Sequence, residues 1–196
     1  MNKSLYNWQI AGFVFTGIAG VILHFLFDWS GESIIIAPFA AVNESVFEHM
    51  KLLFLPMFIF SIIESCYIKK EYENFWCVKL IGILLGVLLI PVLYYTINGA
   101  FGMTPDWVNI AIFFIASALS YWVETRLLKS NNIACNYPQK ALLVLCLVAF
   151  IFMLLTFMTP KIPLFEDPIT NTYGYNNYNK GYPNLRFGDG CNKDLL

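Results

Sequence analysis

The chain has 196 residues, 58% hydrophobic and 13% charged, with a formal net charge of −1 and a mean hydropathy of +0.62. A soluble domain carries charge on roughly a quarter of its residues, so this composition excludes an ordinary soluble fold and points to an integral membrane protein with the lipid bilayer as partner. With no basic excess and no glycine-rich phosphate loop after a strand, nucleic-acid and nucleotide partners are not expected.

Five stretches reach the ~20 apolar residues that a helix needs to cross the hydrocarbon. The first runs from Trp8 to Phe27 behind Lys3, and its apolar run exceeds that of a signal peptide, so it reads as a retained anchor. Gly12, Thr16 and Gly20 form a small-residue stripe on it, suited to close helix approach. His24 and Asp28, four residues apart, stack on the side that carries Gly17 and Gly20, so His24 is expected to face the bundle. Ser33 to Val42 is apolar but too short to span, and is expected to be a re-entrant or interfacial segment roofing the neighbouring site.

The second span, Glu44 to Ile68, opens with Asn43-Glu44-Ser45-Val46-Phe47-Glu48-His49-Met50-Lys51. Two carboxylates, an imidazole and an ammonium at the start of an apolar span mark a candidate functional site, because ionisable groups are costly there. A helix beginning near Asn43 puts Glu44, Glu48 and Lys51 on one stripe, with Ser45 and His49 beside it. Part of the pattern serves the helix itself: Asn43 suits an N-cap, and Ser45 with Glu48 matches the Ser-x-x-Glu capping box. Capping gives His49 no role. Brought level by the connecting loop, His24, Glu44, Glu48 and His49 form a two-histidine, two-carboxylate set, with Asp28 a further donor. Such donors suit Zn²⁺, Mn²⁺ or Fe²⁺ with an open position for water. On this reading His24, His49, Glu48 and Asp28 are metal ligands, and Glu44 or Glu48 is the catalytic base. No second histidine follows Glu48-His49 by one turn, so the HExxH arrangement is not met. Lys51 favours an ion-pair network, since its charge gains beside Glu48 and costs beside a metal.

The third span, Phe75 to Ile97, carries Gly82 and Gly86 as a GxxxG packing pair; the fourth runs from Trp107 to Leu128 and the fifth from Lys140 to Thr159. Pro56 and Pro91 are expected to bend their helices. Glu64 and Glu124 are expected to pair with Lys79 or Arg126. Cys66, Cys77, Cys135, Cys146 and Cys191 are scattered without a CxxC pair, which predicts small buried hydrophobes rather than disulfides. After Pro160 the composition turns to Asn, Tyr, Gly and Pro, so residues 161–196 read as a tail, docked over Ile162 to Pro168 and disordered beyond. Lys3, Lys69, Lys70, Lys79, Arg126, Lys129 and Lys140 flank alternate ends of the spans, which puts the N-terminus in the cytoplasm, and the C-terminus and the Asn43 to Lys51 motif outside. The expected fold is an all-α, polytopic membrane bundle of about five helices over residues 1–160.

His24, Trp29-Ser30-Gly31, Pro38, Val42-Asn43-Glu44-Ser45, Glu48-His49, Lys51, Pro56, Glu64, Pro163-Leu164-Phe165 and Asp167-Pro168 together resemble an uncharacterised family of small multi-pass membrane proteins from Gram-positive bacteria. The likeness extends to about Gly174 and implies a bacterial cell membrane, with no activity attached. Three functional readings follow from the residues: a metal-dependent membrane hydrolase, a proton- or cation-coupled transporter, and a non-catalytic module whose charges fix the start of the second span. The lack of an internal repeat weighs against the transporter.

Overall fold

A computed structural model describes residues 3–102, 105–130 and 133–175. Its helices are α1 (Lys3–Trp29), α2 (Val46–Ile68), α3 (Phe75–Phe101), α4 (Asp106–Ser130) and α5 (Pro138–Phe157), with 3₁₀ turns at Lys69–Glu71 and Pro163–Phe165. All five helices are long and apolar enough to cross a membrane. The described residues contain no strand, only an isolated bridge between Glu166 and Tyr173. The expected all-α, five-span architecture is therefore present.

Short connections make consecutive helices antiparallel. One end of the bundle holds the C-termini of α1, α3 and α5 and the N-termini of α2 and α4; the other holds residues 69–74 and 133–137. The helix ends have local causes. Gly102, in the left-handed region at φ 73°, closes α3 by donating its N–H to Asn98 O at 2.8 Å. Pro138 begins α5, where a missing N–H costs nothing. α2 is central, with 72% of its apolar stretch buried inside the protein against 28% for α1 and α5. Ile10, Val14 and Ile18, each one turn further along α1, stay exposed. In lipid this outer stripe needs no cover.

Small residues set the closest approaches. Gly12 lies against Phe60 and Tyr121, Gly17 against Phe114, and Gly20 against Phe113, so α1 rests on the aromatic face of α4. Thr16 and Tyr121 add a buried hydroxyl pair at 2.9 Å. Gly82 and Gly86 admit polar groups: a Cβ at Gly82 would overlap the Glu124 carboxylate, and one at Gly86 the Ser120 hydroxyl. That space houses a buried ionic group at the end away from the Asn43 to Lys51 motif. Lys79 Nζ lies 2.5 Å from Glu64 and 2.6 Å from Glu124, and all three side chains are fully buried. Gln9 Nε2 donates to Glu64 at 2.8 Å. Lys79 thus pairs with both carboxylates, while Arg126 lies over the Trp122 ring.

The cysteine expectation is overturned. Cys77 and Cys135 are disulfide-bonded, tying the start of α3 to the α4–α5 connection, and Cys66 and Cys146 are exposed rather than buried. The two bonded residues are 58 positions apart, so only the antiparallel packing of α3 and α4 brings them together. Cys191 lies outside the described residues, and so does the tail from residue 176 onward; of the stretch expected to be disordered after Pro168, residues 169–175 are described. Within them, residues 161–175 cover one end of the bundle. Phe165 stacks on Phe47 with ring centroids 4.3 Å apart, and Tyr175 meets Phe27 and Phe157. Gly174, at φ 57°, sits where a Cβ would strike Thr159.

Candidate functional site

The Asn43 to Lys51 motif separates into two groups because α2 starts later than its sequence suggests. Asn43 Oδ1 accepts the Ser45 N–H at 3.0 Å, forming a turn before the helix. Ser45 is the N-cap, its Oγ accepting the Glu48 N–H at 3.4 Å. Asn43 is therefore not the cap. With the Ser45 N–H already taken, the Glu48 carboxylate does not complete a capping box and accepts instead the Val42 N–H at 3.3 Å. Glu44 precedes the helix, so it does not share the expected stripe with Glu48 and Lys51.

The first group is a clasp. Glu48 and Lys51, 1% and 0% exposed, pair at 2.6 Å. Lys51 Nζ also donates to Ala37 O and Thr156 Oγ1, both at 3.0 Å. The pair thus holds both residues 37 and 42 of the preceding segment and reaches α5. That segment, expected to be re-entrant or interfacial, forms a series of turns; Ala37, Ala40 and Val42 pack with Phe27 in a small second core. Ile34, Ile35 and Phe39 remain exposed. The side chains of Glu48 and Lys51 satisfy backbone groups that water cannot reach.

The second group faces a cavity. His24 Nε2 lies 3.6 Å from one Glu44 oxygen, and His49 Nε2 lies 3.7 Å from the other. One donor atom from each of the three residues falls within 4.8 Å of the others, a grouping that could hold a metal ion. The His24 and His49 rings are 5.7 Å apart. His49 Nδ1 lies 2.9 Å from Ser45 O. A carbonyl only accepts, so Nδ1 carries a proton, and in the neutral imidazole Nε2 then turns a lone pair toward Glu44. Two lone-pair donors facing each other need a cation or proton between them. Ligand atoms on a tetrahedral ion, with bonds of about 2.0–2.1 Å, sit ~3.3 Å apart. The three donor atoms here lie within 4.8 Å of one another, on side chains that are 18 to 42% exposed.

The expected four-donor set thus reduces to three in this structure. Glu48 is engaged by Lys51, and Asp28 is exposed at the end of α1, outside the converging group. Asn109 on α4 is the neighbour that sequence reasoning missed. Its Oδ1 is buried and accepts no hydrogen bond from any described residue. Asn109, Glu44 and His49 all line two spaces, a chamber of about 20 Å³ and a cavity of about 450 Å³. The chamber has room for about one water-sized group. A lone Asn in an apolar span gives no local signal; only the packing of α1, α2 and α4 shows its neighbours.

Fold and site together define a multi-pass membrane protein with a His/Glu group at one end of its helix bundle. The chain belongs to a family of unknown function, DUF6512, whose profile matches residues 1–175. No curated protein matches the chain, and no solved structure does.

Proposed function

We propose that this protein is a metal-dependent membrane hydrolase whose divalent ion is held by His24, Glu44 and His49. The observation that carries the reading is the convergence of three donors on one point beside a cavity. Two imidazoles and one carboxylate leave at least one coordination position open on Zn²⁺, the set used by hydrolytic zinc sites. The ion supplies a bound water acidic enough to act as nucleophile near neutral pH. With Glu44 as its only anionic ligand, a divalent ion carrying hydroxide is electrically neutral, which suits a membrane boundary. His24, Glu44 and His49 would hold the ion, which would supply the water for cleavage of a carboxylic or phosphoric ester.

His49 is positioned for this task by Ser45 O, a contact that fixes its tautomer from the side away from the ion. Glu48 is assigned the clasp rather than the role of base, because Lys51 and Val42 occupy its carboxylate. Exposed Lys69, Lys70, Arg126, Lys129 and Lys140 gather at the end opposite the site. By the positive-inside rule that end is cytoplasmic and the site extracytoplasmic.

Cobalt titration of the metal-stripped protein in detergent tests the proposal. Wild type is expected to develop the visible absorption of a low-symmetry Co²⁺ site at one equivalent, and His49→Ala to lose it. Absence of saturable Co²⁺ or Zn²⁺ binding by folded wild type contradicts it. A transport reading rests on a different observation: the fully buried Glu64, Lys79 and Glu124, with Ser117 Oγ and Asn109 Oδ1 further along α4 without a hydrogen-bond partner among the described residues. Proton-driven cation flux in vesicles, lost in Glu124→Gln, would favour it.

A further inference from the structure

We infer that the substrate is a membrane-resident amphiphile, which reaches the site sideways between α1 and α4 with its apolar chain in the 450 Å³ cavity. The inference names the substrate class for the site proposed above and rests on that reading.

The cavity falls within the ~300–1,000 Å³ range of small-molecule sites. Away from its polar edge it is walled by Val21 and Phe25 of α1, Leu52 of α2, and Ile110 and Phe114 of α4. Val21, Phe25, Ile110 and Phe114 are also exposed on the outside of the bundle, so the cavity opens through the surface that lipid covers. A water-soluble polar substrate would gain nothing from these walls and would lose hydration on entering. An alkyl or acyl chain already in the bilayer gains contacts without leaving an apolar medium.

Ile169 lies over the cavity from the 161–175 segment. It is held by Asp167, which is 3% exposed and accepts the Ile169 N–H at 2.8 Å. An apolar side chain fixed on the aqueous side favours entry from the membrane. The polar edge consists of His24, Glu44, His49 and Asn109. The buried Asn109 Oδ1, without a partner among the described residues, is satisfied by a hydroxyl or amide N–H in the headgroup. The bond to be cut then lies where chain and headgroup join, next to the three donors.

Photo-crosslinking in nanodiscs tests this, with a phosphatidylglycerol bearing a diazirine in its acyl chain as probe. In wild type, adducts mapped by mass spectrometry are expected at Val21, Phe25 and Ile110 at least fivefold above those at Leu147 and Phe150, which are simply lipid-exposed on α5. Val21→Trp with Ile110→Trp fills the cavity from its lipid-facing rim and should abolish the excess. Retained one-equivalent Co²⁺ binding by that variant, or its unchanged melting temperature, shows that it is folded. Even labelling of all lipid-facing positions, or an excess that survives the double substitution in folded protein, overturns the inference. The crosslinking needs no metal. An excess present in His49→Ala therefore supports the cavity assignment even where the metal proposal has failed, and saturable Co²⁺ binding without the excess refutes the lipid substrate alone.

Discussion

Glu48 and His49 are adjacent in sequence and do opposite work. The Glu48 side chain turns to Lys51 and the Val42 N–H, and His49 turns to Glu44 and the cavity. Substitution separates the two. Glu48→Gln leaves the Lys51 ammonium buried without its counter-charge, an imbalance of about 3–5 kcal/mol for pairs of this kind. A marked fall in melting temperature in detergent is expected, whereas His49→Ala, at a half-buried position, should melt close to wild type. Equal melting of Glu48→Gln and wild type would show that the clasp contributes nothing. The chemical identity of this motif was legible in the sequence, as was the approach of His24 to it. Its division was not. The hydrogen bond from Ser45 N–H to Asn43 Oδ1 delays the helix to Val46, and that shift moves Glu44 off the stripe it would otherwise share with Glu48.

Among the helices, the spans were readable to within a few residues because the number of apolar residues needed to cross a bilayer is a direct physical requirement. Pairing across helices was harder to read. The GxxxG motif of α3 does bring helices close, yet what it admits is a carboxylate and a hydroxyl from α4. Lys79 of α3 then binds Glu64 of α2 and Glu124 of α4, joining three helices at one buried point. Lys79→Met leaves two buried carboxylates without a cation and is expected to unfold the bundle or lower its yield several-fold. The triple change Lys79→Met, Glu64→Gln, Glu124→Gln removes the charges together and should recover much of the loss, as replacement of buried ionic groups often does. Size-exclusion profiles in detergent distinguish the two; a monodisperse Lys79→Met protein with wild-type melting would remove the ionic group from the account of stability. The Cys77–Cys135 bond was invisible for the same reason as this pairing, since partners 58 residues apart leave no local pattern.

For the whole molecule, the proposed orientation puts residues 33–42 and the site outside. A cysteine engineered at Ser33, in a background lacking Cys66, Cys146 and Cys191, should react with a membrane-impermeant maleimide added to intact cells. Labelling from the cytoplasmic side alone reverses the orientation. The Cys77–Cys135 pair is an independent reporter, because the proposed topology exposes it to the reducing cytosol, where disulfides are rare. Complete bonding of that pair in intact cells would argue for the reverse orientation. Both arrangements leave the three-donor group intact, and the functional reading depends on that group. Metal content by plasma mass spectrometry, on protein purified without chelator, is the most direct test. About one zinc, manganese or iron per chain is expected in wild type, falling below a tenth in the His24→Ala, His49→Ala double variant and persisting in folded Glu48→Gln. Substoichiometric metal that is the same in wild type and in the double variant would contradict the account.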